Sequence, residues 1–301
     1  MSGSDHEDAE WLALLGAPLA RQLPRLEALG LGRTGLLFLQ NACENRCFFC
    51  SNPGTVHVDE DRLTRAADVD AWIASAAGTQ LERVCVGGTE PMLHPHFDAT
   101  LAGLHAAGLS PIELMTSGLR LAEPARARQL RAWGVRAVAV PLYAAEAALH
   151  DEVVGSPGAF DRTLRGLDAA HRAGIEVLVH TLALRRTSRA LPALATLVGE
   201  RWGSRLAIGP TRPKQGVWDW HADAATHAEL AAAVRDLDVS LVAYPPCVAP
   251  GQARGAARVI DLYFRTTRMA HAAPCAGCSR RGSCAGVVAA ELERSPQVVP
   301  F

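Results

Sequence analysis

The residues best suited to chemistry in this chain are its eight cysteines, which fall into three groups. Cys43, Cys47 and Cys50 stand together; Cys247, Cys275, Cys278 and Cys284 form a later set; Cys85 is alone. Thiolate is a soft ligand that suits zinc or iron–sulfur clusters. The first group is spaced C-x3-C-x2-C in "NACENRCFFCSNPG", and no His or Cys occurs between Cys50 and His57. A structural zinc site closes with four ligands, whereas three cysteines on a 4Fe–4S cluster leave one iron open to a small molecule. Two readings stand: an open cluster, or a zinc loop with a distant fourth ligand. The second group is C-x2-C-x5-C with Cys247 upstream, a full set of four. It suits a closed zinc site that stabilises a poorly cored segment, or a coordinatively full 4Fe–4S cluster. Cys85 lies in the apolar run "RVCVGG" and reads as packing.

Other polar residues gather where expected strands end. In "VCVGGTEP" (84–91), Gly87 and Gly88 permit close backbone approach, followed by Thr89 and Glu90. "LMTSG" (114–118) presents Thr116 and Ser117, which suit a ligand contact or a turn and helix cap. "GPTRPKQGVWDWHAD" (209–223) joins Arg212, Lys214, Gln215, Trp218, Trp220 and His221. That amphipathic set suits a substrate mouth, or a surface loop anchored by buried indoles. Tyr143 and His180 are the candidate catalytic side chains, although a lone strand histidine such as His180 is more often simply hydrogen-bonded in the core.

The elements that must position these residues alternate. Strands are expected at 35–40, 81–88, 110–118, 135–143, 175–184 and 205–210. Helices are expected at 59–77, 96–108, 123–134, 159–174, 190–202 and 222–237. The strands are unbroken apolar runs, as when both faces of a sheet are covered. The expectation is an α/β fold, a partial (β/α)6 TIM-type barrel, with working residues at the C-terminal ends of its strands. Residues 1–32 read as a short N-terminal helical segment, 33–239 as the barrel, and 240–301 as a small cysteine-rich domain with a strand at 259–264.

Bulk properties exclude several classes. The net charge is −1, from 30 basic and 31 acidic residues, so no global field draws the chain to nucleic acid or anionic membrane. No basic stripe marks an RNA-binding module. No apolar run approaches the roughly 20 residues of a membrane helix, and the acidic start does not read as a signal peptide. A cytoplasmic protein with reduced thiols is expected.

The three-cysteine loop, with aromatic Phe49 before its last cysteine and after the first expected strand, resembles the radical S-adenosylmethionine (SAM) superfamily. The resemblance implies that the open iron of a 4Fe–4S cluster binds the amino and carboxylate groups of SAM. Reductive cleavage then gives methionine and a 5′-deoxyadenosyl radical, which abstracts hydrogen from substrate. "GGTEP" is similar to the family's Gly-Gly-x-Glu-Pro loop, with Thr89 where a third glycine often stands. The resemblance therefore implies cofactor contacts at Phe49, Gly87, Gly88, Thr89, Glu90, Thr116 and Ser117. The stretch 140–167 is also similar to the family, with His150, Asp151 and Gly155 in a structural loop. Pro141 and Tyr143 depart from the small polar residue of other members.

The C-terminal cysteines resemble the SPASM and twitch variants, which implies a second, auxiliary 4Fe–4S cluster on Cys247, Cys275, Cys278 and Cys284. Val288 stands where the full SPASM pattern adds another cysteine. The implied substrate is a peptide or natural-product precursor, with ribosomal peptide maturation favoured. The implied electron source is a one-electron reductant such as flavodoxin or ferredoxin. Alternatives are a small-molecule dehydrogenase, a sulfur-inserting enzyme, or, in another class, a non-catalytic zinc or redox-sensing protein.

Overall fold

Short apolar runs become buried strands throughout the computed structural model, which describes residues 18–28, 32–39, 42–50, 64–213, 218–254, 269–284 and 286–294. The chain divides into two compact units, Met1–Pro141 with Val154–Leu178, and Leu142–Val153 with Val179–Phe301. Its core is parallel β-sheet flanked by helices, consistent with a partial TIM-like barrel, followed by a cysteine-rich C-terminal segment.

In the first unit β1 (Thr34–Leu39), β2 (Arg83–Gly88), β3 (Ile112–Met115) and β4 (Val135–Pro141) pair in parallel and in chain order. Leu36, Val84, Val86, Ile112, Leu114, Val138 and Val140 have essentially no exposed surface. Helix α1 (Leu19–Ala28) packs on β1, where Gln22 acts as a surrogate strand. Its Nε2 donates to Leu36 O at 2.9 Å, and Leu36 N–H donates to its Oε1 at 3.0 Å. That pairing seals backbone groups at a sheet edge. Helices α2 (Ala66–Ala76), α3 (Phe97–Ala106) and α4 (Pro124–Ala132) connect successive strands. Pro124 opens α4 at a position that needs no N–H donor.

The second unit contains α5 (Ala147–Val154) up to Val153. The amphipathic α6 (Ala159–Arg172) belongs to the first unit and leads into β5 (Glu176–Leu182), which enters the second at Val179. Then follow α7 (Leu191–Trp202), β6 (Leu206–Gly209), α8 (Trp220–Asp223), α9 (His227–Val234), β7 (Val239–Leu241) and β8 (Ala253–Arg254). Strands β5 to β8 are again parallel and in chain order. Gly203 ends α7 at φ 64°, a left-handed cap that glycine adopts without strain. An antiparallel pair, β9 (Met269–Ala270) and β10 (Val287–Val288), frames the late cysteines before α10 (Ala289–Arg294).

Three local expectations are corrected. The sheet has two parallel strands beyond the six expected among the described residues; β7 and β8 have 3 and 2 residues, too few to show a period. The helix expected at 222–237 is two helices, because Thr226 restarts it with a capping box: Glu229 N–H donates to Thr226 Oγ1 at 3.2 Å and Thr226 N–H to Glu229 Oε2 at 2.8 Å. His150 and Asp151 lie in α5 rather than in a loop. The strand expected at 259–264 and residues 1–17 lie outside the described residues. No described helix is long and apolar enough to cross a membrane.

Candidate metal and cofactor site

The cysteine loop leaves the C-terminal end of β1, and Cys43, Cys47 and Cys50 are all half-buried. Cys50 N–H donates to Cys47 O at 2.9 Å, a tight turn that keeps the last two thiols together. Burial pushes the Cys43 thiol up to about 12; Glu90, Cys50 and Glu44 push the same way, and the Asn45 backbone N–H opposes them. Burial, with Cys50 and Cys43 nearby, pushes Cys47 higher still. Three thiols thus share one small region and disfavour each other's ionisation. A bound cationic centre reverses that preference, because thiolate ligands deprotonate on metal binding.

The loop is held from behind. Arg46 N–H donates to Val154 O at 2.7 Å, and Ser156 Oγ donates to Glu44 O at 3.1 Å. Between those anchors Gly155 has φ 61°, and a Cβ there would lie 2.6 Å from Arg46 O. Glu44 Oε1 also takes ion pairs from Arg120 at 3.2 Å and Arg162 at 3.3 Å. Asn45 is 6% exposed, and its Oδ1 has no hydrogen-bond partner among the described residues. A buried acceptor on the same loop as three thiols suits a small molecule that brings its own donor. On these two observations the residues fit a cluster with a coordinated small molecule.

Two further strand ends converge. Glu90, fully buried after β2, accepts from Thr116 Oγ1 at 2.8 Å and Met92 N–H at 3.1 Å on Oε1, and from Ser117 N–H at 2.6 Å on Oε2. Gly118 N–H donates to Thr116 Oγ1 at 3.2 Å. Burial raises the Glu90 pKa, and the hydrogen bonds from Ser117, Thr116 and Met92 oppose it. Gly88, at φ 136°, has a reason of its own to be glycine: a Cβ would run into the Leu39 carbonyl on β1. Gly87 sits opposite Phe38, whose ring is 3.4 Å from where its Cβ would be. Thr89 is half-buried beside them. Phe49 packs edge-on against Phe48 with ring centroids 5.1 Å apart.

The late cysteines meet as well. Cys247, Cys275, Cys278 and Cys284 border one cavity, with Pro245, Ala270, His271, Arg281, Gly286 and Val287. Short turns deliver them: Cys278 N–H donates to Cys275 O at 3.2 Å, and Arg281 N–H to Cys278 O at 3.2 Å. Gly286 N–H donates to Cys284 Sγ at 3.3 Å, and the His271 Nε2–H donates to Cys284 O at 3.0 Å. Burial raises the Cys247 pKa, and Cys284, Cys275 and Cys278 add to the rise. Among the described residues no three His, Cys, Asp or Glu side chains converge as on a single metal ion. The four thiols line a common space instead.

Within the second unit, the expected catalytic pair is buried: Tyr143 is 5% and His180 6% exposed. Burial holds His180 at about 4. Tyr143 N–H donates to His150 Nδ1 at 3.3 Å, with the rings 5.9 Å apart and 31° from parallel. His150 therefore carries its proton on Nε2, and burial holds it at about 4, against a smaller upward push from Asp151. Of the expected substrate residues, Trp220 is buried and its Nε1–H donates to Thr211 Oγ1 at 2.9 Å. It also meets His221 edge-on at 5.2 Å. Arg212 and Trp218 are half-buried, and Lys214 and Gln215 lie outside the described residues.

Sequence reasoning missed Gly155 as the cysteine loop's support and His150 as the partner of Tyr143. Gly155 follows a helix that was read as loop, which hid its place as a glycine after a helix end.

Comparison with known proteins agrees with this geometry. The model of the radical SAM superfamily matches residues 37–192. The chain is 31% identical over 149 residues to the AdoMet-dependent heme synthase of Methanosarcina barkeri, covering 49% of this chain and 42% of that protein. It is 26% identical over 174 residues to the GTP 3′,8-cyclase of Bradyrhizobium diazoefficiens, covering 56% and 48%. The chain thus spans about half the length of these curated relatives. In fold it is similar to Streptococcus suis SuiB bound to S-adenosylmethionine, with TM-score 0.56 and 13% identity over 92% of this chain and 79% of that one.

Proposed function

We propose, from the premise that this chain belongs to the radical SAM superfamily, that Cys43, Cys47 and Cys50 hold the SAM-binding 4Fe–4S cluster of a peptide-modifying enzyme. Residues 33–239 form its catalytic domain and 240–301 its auxiliary domain, where Cys247, Cys275, Cys278 and Cys284 hold a second 4Fe–4S cluster. When bound, the first cluster and SAM supply a 5′-deoxyadenosyl radical that abstracts hydrogen from substrate.

The chain's own residues prepare that site. Val154, Gly155 and Ser156 fix the backbone of the cysteine loop. Glu90 organises the loops after β2 and β3, leaving Gly87, Gly88, Thr89, Thr116 and Ser117 at strand ends where a polar cosubstrate binds. Asn45 offers a buried acceptor on the cysteine loop itself. Phe49 shields the loop with Phe48. The observation that carries the reading is the parallel register that sets Leu39 beside Gly88, so that the cysteine loop and the Gly-Gly-Thr-Glu-Pro loop leave adjacent strand ends.

Tyr143 and His180 are the candidate catalytic residues, and Arg212, Lys214, Trp218, Trp220 and His221 the candidate substrate contacts. A flavodoxin- or ferredoxin-like protein supplies the electron, in a reducing cytoplasm. A second reading, a small-molecule substrate, is favoured by the names of two curated relatives, a heme synthase and a GTP cyclase.

Anaerobic reconstitution tests the proposal. About eight iron and eight sulfide per chain, and SAM cleavage with dithionite, are expected for two clusters. A colourless zinc protein that leaves SAM intact overturns it. Assay of the loaded enzyme with a candidate precursor peptide against small metabolites then separates the substrate classes.

A further inference from the structure

Glu90 and His94 bracket one short 3-10 turn, Pro91–Leu93. Glu90 caps its start by accepting from Met92 N–H, and His94 closes its end, donating its own N–H to Pro91 O at 3.0 Å. The His94 ring is 4% exposed and fully engaged. Its Nδ1 accepts from His96 N–H at 3.2 Å. Its Nε2 must then carry the proton, and it donates to Thr64 O at 2.8 Å. Thr64 is itself a fixed post, because its Oγ1 donates to Phe38 O at 3.1 Å. Phe38 lies at the end of β1, opposite Gly87 in the parallel register, one residue before the strand gives way to the cysteine segment.

A continuous chain of hydrogen bonds therefore runs from the end of β1 through Thr64 and His94 to the turn that carries Glu90. Buried hydrogen bonds of this kind orient a group at a fixed angle, and removing one partner strands the other. Burial lowers the His94 pKa, in the direction of the neutral ring that these hydrogen bonds require.

We propose that His94, braced by Thr64, is a positioning residue for SAM binding: it sets the angle at which Glu90 orders the loops after β2 and β3 against the cysteine loop. This rests on the radical SAM reading above. Both ring nitrogens of His94 are taken by Thr64 O and His96 N–H, so its effect passes through the turn that carries Glu90.

Two measurements test the proposal. In metal-free protein, hydrogen exchange at the Met92 and Ser117 amides, which donate to Glu90, reads the position of Glu90 directly. His94→Ala should speed both, His94→Gln, which restores a donor toward Thr64 O, should recover most of the protection, and Thr64→Ala should give a smaller change in the same direction. In reconstituted protein with wild-type iron content, SAM affinity, followed by the electron paramagnetic resonance change of the reduced cluster, should fall by about tenfold in His94→Ala. Unchanged Met92 and Ser117 exchange in both His94→Ala and Thr64→Ala overturns the proposal, as does wild-type SAM affinity in a loaded His94→Ala enzyme. If wild-type protein takes up no iron and leaves SAM intact, the radical SAM reading fails instead, while the exchange experiment still judges the role of His94.

Discussion

Thr116 Oγ1 lies 2.8 Å from Glu90 Oε1, a hydrogen bond between residues 26 apart that ties the end of β3 to the loop after β2. Both oxygens of Glu90 are acceptors, since Ser117 N–H occupies Oε2. A side-chain amide cannot replace this carboxylate, because its NH2 would face one of the donors. Glu90→Gln is therefore expected to cost about 1–3 kcal/mol of stability, the penalty for stranding a buried polar group. Urea unfolding of the metal-free protein measures it, and a wild-type midpoint would show that the network is incidental.

The two cysteine groups should separate by function. On the proposed assignment of Cys43, Cys47 and Cys50 to the SAM-binding cluster, Cys47→Ala should lose about four iron and all SAM cleavage. Cys278→Ala should also lose about four iron but keep measurable SAM cleavage, with turnover of the true substrate impaired. Iron analysis alongside dithionite-driven cleavage distinguishes the pair. Equal loss of cleavage in both variants would mean that the late cysteines are not an auxiliary site.

The parts of this protein that were legible in sequence are those where chemistry restricts residue type. Cys43, Cys47, Cys50 and the Gly-Gly-Thr-Glu-Pro loop stand out because thiol ligation and close backbone approach tolerate few substitutes. The placing of Glu90, Thr116 and Ser117 at the C-terminal ends of parallel strands was also legible, but their hydrogen bonds to one another were not. His94 was illegible, since a histidine after a turn has no pattern of its own until the Thr64 carbonyl is seen accepting its hydrogen bond. Gly88 was read for ligand approach, yet the Leu39 carbonyl already demands glycine there. Strands β7 and β8 escaped because 3 and 2 residues carry no periodicity, and Thr226 broke a helix whose apolar pattern ran straight through it.

Gly155 offers a test of how the cysteine loop is supported. Its φ of 61° disfavours any side chain, and an added Cβ would press on Arg46 O at 2.6 Å. Gly155→Ala should therefore shift Arg46 and its neighbours as well as strain the backbone by about 1–3 kcal/mol. The expected result is a lower melting temperature together with poor retention of the cluster proposed for Cys43, Cys47 and Cys50, while the iron proposed for the late cysteines remains. Full iron content after gel filtration would mean that the loop does not depend on this support.

Buried His150 and His180 make stability depend on acid. Burial holds each at about 4 in the folded chain, below the ordinary value of 6.5. The unfolded chain then binds more protons between those values, so stability is fully present above pH 6.5 and is lost as pH falls through 6.5 toward 4. At pH 5 the loss is roughly 2 kcal/mol for each histidine. Urea midpoints of the metal-free protein at pH 7.5 and pH 5 should differ accordingly, and His180→Asn should remove part of the difference by deleting one titrating ring. A midpoint in that variant that falls as steeply as wild type would mean that His180 is already protonated in the fold, and that its place in the second unit is polar rather than dry.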